Sequence, residues 1–254
     1  MKSISILLIL FTASVITAQS ELEKGILLYK ARHENSQGIK ASATNIDKAI
    51  EQFKSATQNS IYEIEATVYL LKCYYYKAEF AINNIDDKKR IFNEGKTLGA
   101  RYIELYPENV EFRYWYLVNL GSWAQVYGIL TAAREGVADQ MKTHSEKIIK
   151  LDKHYEDGGG YFMLGAVHYK SPYIPFLLSW PNNDEAIKYL QLAHDTKKAT
   201  LNQKIYLAQA LYKDGHQVKA RQLLNDVINS TPKPESLVEE LDDIREAKKI
   251  LSDY

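Results

Sequence analysis

The sequence predicts an all-α fold of stacked antiparallel helix pairs, about five of them, closed by one more helix near the C-terminus. Three observations carry this. Ile61, Ile64, Val68, Leu71, Tyr75, Ala78 and Ile82 step by three and four residues, which lays them on one helical face. No stretch alternates convincingly with period two, so no sheet is expected. Helix-sized elements recur: Ala49, Gly95, Met141, Ala186 and Ala220 open similar small-then-apolar patterns at intervals of 46, 46, 45 and 34 residues.

The chain opens differently from its remainder. Lys2 precedes an apolar run from Ile4 to Ile16, followed by Thr17-Ala18-Gln19-Ser20. A charged start, a short apolar stretch and small residues form a secretory signal, so 1–18 reads as a signal peptide cut after Ala18 or Ser20. The apolar run is short of the roughly 20 residues of a spanning helix. Residues 21–254 then form one helical-repeat domain, exported to the periplasm or cell envelope with no membrane span after signal removal. The one cysteine, Cys73, lies far from the signal, so no lipid anchor is expected. It reads as a small core residue.

Each later element has its own signals. Ser60 with Glu63 is a capping box for the helix through Val68 and Leu71, and Thr200 with Gln203 caps another. Gly95, Gly99, Tyr102 and Pro107 mark a second-helix element. Gly158-Gly159-Gly160 reads as a helix start where a side chain would collide with a neighbour. At the C-terminus, Ser236 with Glu239 would cap a helix whose apolar side carries Leu237, Leu241, Ile244 and Leu251, with Lys248 in register. Its wet side carries Glu239, Glu240, Asp242 and Asp243. Such a helix would cover the end of the stack.

Residues 201–234 are the most regular unit. Leu207-Ala208, Leu211, Gly215, Ala220, Leu224, Val227 and Pro232 follow the tetratricopeptide pattern. Small residues at 208 and 220 let two helices approach, and large ones at 207, 211 and 224 fill between them. Gly215 supplies the left-handed residue that ends the first helix.

Composition excludes several function classes. Basic and acidic residues number 32 each, so no charge excess points to nucleic acid or an anionic membrane. No His-Glu-x-x-His, Gly-x-Ser-x-Gly or paired-cysteine motif is present. The six histidines never pair at helical spacing. No catalytic residue, metal or cofactor is expected, and the chain reads as a non-enzymatic binding protein.

Candidate binding residues sit where the repeat is decorated. The aromatic helix 114–123 supplies Tyr114, Trp115, Asn119 and Trp123. The glycine-led helix supplies Tyr161 and His168, the latter either facing a groove or hydrogen-bonded in the core. The apolar insertion 171–181 supplies Tyr173, Pro175 and Trp180; it either packs into the fold, lines a cleft or forms a subunit interface.

A more specific series runs through residues 90–230. It comprises Gly95, Gly99 and Tyr106-Pro107; Tyr114-Trp115 to Asn119-Leu120-Gly121; Leu151-Asp152 to Gly158-Gly159; Leu164-Gly165; Pro172 and Pro175; Ala186-Ile187, Tyr189-Leu190; and Tyr206-Leu207-Ala208. This series resembles the periplasmic T-component proteins associated with tripartite ATP-independent periplasmic (TRAP) transporters. The resemblance implies a helical-repeat periplasmic protein, assembling as an oligomer, that partners a solute-binding protein and carries a groove or pore suited to apolar ligands. The lipoprotein cysteine of many such proteins is missing here. Three functions follow as expectations: an envelope scaffold docking a protein partner, a carrier of a small apolar ligand, or a homo-oligomeric structural protein.

Overall fold

The computed structural model describes residues 19–174, 176 and 178–254. The signal segment 1–18 and Pro175 lie outside the described residues. Among the described residues, twelve α-helices follow one another: α1 (19–30), α2 (Ala43–Ala56), α3 (Glu63–Tyr76), α4 (Ile85–Leu105), α5 (Val110–Tyr127), α6 (Ile129–Arg134), α7 (Val137–Leu151), α8 (Gly159–Lys170), α9 (Asn183–His194), α10 (Leu201–Lys213), α11 (Gln217–Ile228) and α12 (Leu237–Asp253). A π-helical turn, Lys77–Ala81, extends α3, and a 3-10 turn, Pro234–Ser236, leads into α12. Among the described residues there is no strand, only two isolated bridges, and no helix long and apolar enough to cross a membrane.

The pairs are α1–α2, α3–α4, α5–α7, α8–α9 and α10–α11, so the second helices are those the recurrence picks out. Ala49, Ala186 and Ala220 are wholly buried, Met141 is buried, and Gly95 is buried in α4. Each sits where two helices cross, and each small residue permits the approach. A Cβ on Gly25 would stand 2.6 Å from the Phe53 ring, which is how closely α1 lies on α2. A Cβ on Gly165 would stand 2.9 Å from the Leu190 backbone nitrogen and 3.1 Å from the Ala186 carbonyl, binding α8 to α9. The longer early intervals come from the 21-residue α4 and from α6, inserted between α5 and α7.

The glycine triplet starts α8 where a side chain would collide, as expected: a Cβ on Gly159 would strike the Tyr114 ring, and one on Gly160 would meet Ile148 at 2.8 Å. Gly158 adds a positive φ of +83, which is not among the sequence expectations. Gly215 takes φ +87 after α10. The Thr200–Gln203 capping box forms with both of its hydrogen bonds.

Two other caps and one helix face differ from expectation. α3 starts at Glu63 with no side-chain cap. The turn before it is held instead by Asn59, whose Oδ1 accepts from the Ile61 amide at 3.0 Å, leaving Ile61 exposed. Its buried side runs through Ala66, Val68, Leu70, Leu71 and Cys73. At α12, Ser236 makes no cap bond to the helix amides; its hydroxyl donates to Glu240 at 3.0 Å. Glu239 is drawn away to Arg32. The helix is therefore turned so that Val238, Ile244 and Ala247 are buried. Its acidic side, expected to be wet, faces back into the fold.

Candidate functional site

In each pair the first helix carries aromatic side chains that point to the inside of the stack. Tyr29 comes from α1, Tyr69 and Tyr75 from α3, Tyr114 and Trp115 from α5, Phe162 and Tyr169 from α8, and Tyr206 from α10. They touch in two groups, one across α1, α3 and α5 and one between α8 and α10. Tyr29 meets Tyr69 edge-on at 5.5 Å, and Tyr75 meets Trp115 at 6.4 Å. Tyr114 lies against Trp115 and Tyr155, at 5.5 and 5.4 Å. Phe162 meets Tyr206 at 5.2 Å and Tyr169 meets Tyr206 at 6.3 Å. Edge-on and tilted contacts are the arrangement that ring quadrupoles favour.

This inner face is enclosed without being sealed. All eight of these side chains keep some solvent contact, yet burial pushes the phenols of Tyr29, Tyr75, Tyr114 and Tyr206 well above their usual range. Lys72 brings a cation into it, with Nζ 5.2 Å from the rings of both Tyr69 and Trp115, within cation–π range. The Glu156 carboxyl is raised by burial and partly pulled back by Lys72. Trp115 Nε1 is buried, with the Tyr155 hydroxyl as its polar neighbour.

Carboxylates crowd the end of the inner face near α12. Burial raises the Asp243 pKa to about 7; Asn202 works against this, and Asp242, Glu240 and Glu246 add to it. Glu79, on the π-helical turn, is raised by burial, with Lys88 opposing and Asp242 and Glu246 reinforcing.

The residues singled out from sequence are not brought into one place. Tyr114 and Trp115 lie on the inner face. Asn119 is wholly buried one turn on: its Nδ2 donates to the carbonyls of Leu71 at 3.1 Å and Trp115 at 2.9 Å. Its Oδ1 faces the hollow left by Gly95 without a hydrogen-bond partner, so the side chain ties α5 to α3 and packs against α4. Trp123 is buried elsewhere, stacked on Tyr127 at 4.4 Å with Lys96 Nζ 3.9 Å over the ring. Tyr161 borders an open cleft with His154, Asp157 and Lys198. His168 is buried and has Trp180 edge-on at 4.9 Å; burial lowers its pKa.

The insertion 171–181 is partly packed and partly free. Trp180 anchors it: Nε1 donates to Asp139 at 2.8 Å, and Lys142 covers the ring at 4.9 Å. Ile174 and Leu178 exchange backbone hydrogen bonds at 2.8 Å, and Leu178 is buried. Tyr173 and Phe176 are exposed, at 63% and 106%. The apolarity therefore divides between a docked root and an exposed tip.

Tyr29, Tyr69, Tyr75, Phe162, Tyr169 and Tyr206 were not singled out as site residues from the sequence, because they come from scattered stretches of chain with only one or two per helix. A signal was available: Tyr69, Trp115, Phe162 and Tyr206 recur at intervals of 46, 47 and 44 residues, close to the repeat spacing. Among the described residues, no group of three or more His, Cys, Asp or Glu side chains is placed to hold a metal ion.

Comparisons with known proteins bear on this arrangement. A family model described as "Regulator of microtubule dynamics protein 1-3" matches residues 29–177. No curated protein matches. Among solved structures, a thermophilic TPR protein from Thermus thermophilus is similar. Its TM-score is 0.62 at 16% identity, covering 92% of this chain and 99% of that one. That likeness establishes a tetratricopeptide-like helical-repeat fold. The family match spans α2 to α8 and takes in every ring of the aromatic row except Tyr206.

Proposed function

Given that the chain belongs to the regulator of microtubule dynamics protein 1-3 family, whose model covers more than half of it, we propose that it is a non-enzymatic, exported scaffold that docks a protein partner on its aromatic inner face. One observation carries this: the first helix of each of the five pairs contributes aromatic side chains to the inside of the stack, in ring contact across α1, α3 and α5 and again between α8 and α10. Helical-repeat stacks bind through such inner surfaces, and tyrosine and tryptophan are the side chains that anchor interfaces. The microtubule role belongs to the family's description. What comes from it to this chain is the scaffold, since equal numbers of basic and acidic residues provide no general attraction to an acidic filament.

Export rests on the signal-like segment 1–18. The resemblance to T-component proteins adds a candidate partner, a periplasmic solute-binding protein. A second reading, carriage of a small apolar ligand, is favoured by the same enclosed rings. The exposed Tyr173 and Phe176 favour a third, self-association through the 171–181 tip.

Capture from a cell-envelope fraction tests the first reading. Wild-type protein should retain a specific partner. Trp115→Ala should weaken that retention by about 10- to 30-fold, the loss typical of an interface anchor, at unchanged helicity. A wild-type protein that retains no partner, or a Trp115→Ala variant that retains it equally well, contradicts the reading. A small molecule retained in native mass spectrometry instead would move the assignment to the carrier.

A further inference from the structure

The C-terminal helix occupies the surface that the proposed function assigns to a partner. α12 packs on α10 and α11 at the end of the stack, then reaches across to the beginning of the chain. Arg32, just beyond α1, donates from Nε and Nη2 to Glu239 Oε1 at 3.0 and 2.7 Å, and from Nη2 to the Glu235 carbonyl at 2.6 Å. The guanidinium lies 4.6 Å over the Tyr29 ring and 5.1 Å over that of Tyr76. Two hundred and seven residues separate the paired side chains. Asn202 of α10 donates to Asp243 at 3.0 Å, so the middle of α12 also faces the inner side.

α12 is weakly held for a helix of its length. Three of its 17 residues are buried, Val238, Ile244 and Ala247, against eight of 13 in α10. It gathers like charges: Asp242 and the exposed Glu246 act on Glu79, which Lys88 and Arg245 only partly offset, and Asp242, Glu240 and Glu246 act on Asp243. Glu239 Oε2 is buried with no partner, so the ion pair is half satisfied. The C-terminal end is tied down separately. Tyr254 stacks on Tyr212 at 3.4 Å, and its carbonyl accepts from Arg221 and from the Tyr212 hydroxyl. The N-terminal end is held by Arg32, by the buried Val238 and by Glu240, which accepts from the Lys233 amide and the Ser236 hydroxyl. Few buried apolar contacts and repelling charges mark an element that opens locally while the rest stays folded.

We propose that α12 is a built-in occupant of the inner face, a clasp that swings aside for a partner, and that the Arg32–Glu239 pair holds it shut. The proposal rests on the reading of the inner face as the binding surface. A partner segment able to replace α12 would itself be helical and acidic, offering Arg32 a carboxylate beside an apolar side chain, as Val238 and Glu239 do.

Hydrogen exchange on the full chain tests the clasp without any partner. Glu239→Gln and Glu239→Arg should speed exchange of the 236–246 amides by about tenfold or more, with α8 to α11 unchanged. The proposal is overturned if both single variants leave α12 within about twofold of wild type, or if α12 speeds up only together with α10 and α11, which would make it part of the core. It is also overturned if α12 loosens and a captured partner binds no tighter. If wild type and variants capture no partner, the inner-face reading falls, whatever the exchange result.

Discussion

Gly165→Ala is expected to lower stability by about 1–3 kcal/mol, the cost of overpacking less the helix propensity that alanine gains over glycine. The new Cβ would meet Leu190 Cγ at 2.6 Å, the Leu190 nitrogen at 2.9 Å and the Ala186 carbonyl at 3.1 Å. Two of these are backbone atoms, so a rotamer change cannot relieve the contact and α9 must move bodily. Both helices bury this crossing: Leu164, Ala186 and Leu190 are all within 1% exposure. The control is Gly121→Ala in α5. There the nearest atom, Met141 Cε, would lie 3.8 Å away, so alanine should fit and stabilise by about 0.5–1 kcal/mol. Thermal melts should therefore shift in opposite directions, by about 2–4 °C per kcal/mol for a domain of this size. Melts that fall together would show that the α8–α9 crossing is looser than these distances imply.

The second large effect is a pH dependence centred on Asp243. An unfolded aspartate titrates near 4, whereas in the fold Asp243 holds its proton to about 7, chiefly through burial. The groups facing it are Glu240, Asp242 and Glu246 of α12, Tyr206 and Asn202 of α10, and Tyr75 of α3. Of these, Asn202 favours the charged form and the carboxylates oppose it. The folded protein therefore binds an extra proton between about pH 4 and 7. The stability this confers is complete below the unfolded value and is lost as pH rises through 7. The side chain keeps some solvent contact, so the full shift is discounted to about 1–2 kcal/mol. Wild type should have a lower urea midpoint at about pH 8 than at about pH 5.5, on either side of the folded titration. Asp243→Asn should flatten that difference and raise the midpoint on the alkaline side. A variant that keeps the wild-type pH slope would place the titration elsewhere.

These expectations separate what was legible in the sequence from what was not. The second helices were legible because close packing demands a small residue at each crossing, and Ala49, Gly95, Ala186 and Ala220 leave that mark at regular distance. Local backbone chemistry was legible at Gly215, where a positive φ is needed, and at the Thr200–Gln203 box; the glycine triplet was legible as a site of close approach, and the positive φ of Gly158 was not. The orientation of α12 was not. Its periodicity admits two inward faces, and the choice between them is made by Arg32, whose pairing with Glu239 spans nearly the whole chain. Ser60 failed as a cap because Asn59 organises the preceding turn first. The candidate site was half legible. Tyr114 and Trp115 stood out because they are adjacent in one aromatic helix. Their neighbour Tyr75 comes from α3, and Tyr206 meets Phe162 from α8; only the superposition of repeats brings such rings together. Asn119 drew attention as a polar residue among aromatics, and that polarity serves two buried carbonyls. The insertion's apolar character could not reveal that Trp180 docks while Tyr173 and Phe176 stay exposed, since docking depends on Asp139 and His168.

Whether the inner aromatic face is the binding surface is tested most directly by site-specific photocrosslinking in cells. A photoreactive phenylalanine analogue would be placed at Tyr75, Trp115 or Tyr206, and in separate chains at Tyr173 or Val218. One shared crosslinked partner is expected from the three inner positions, and none from exposed Val218 on α11. Crosslinks confined to Tyr173, with the inner positions silent, would contradict that assignment and place the interface on the loop tip.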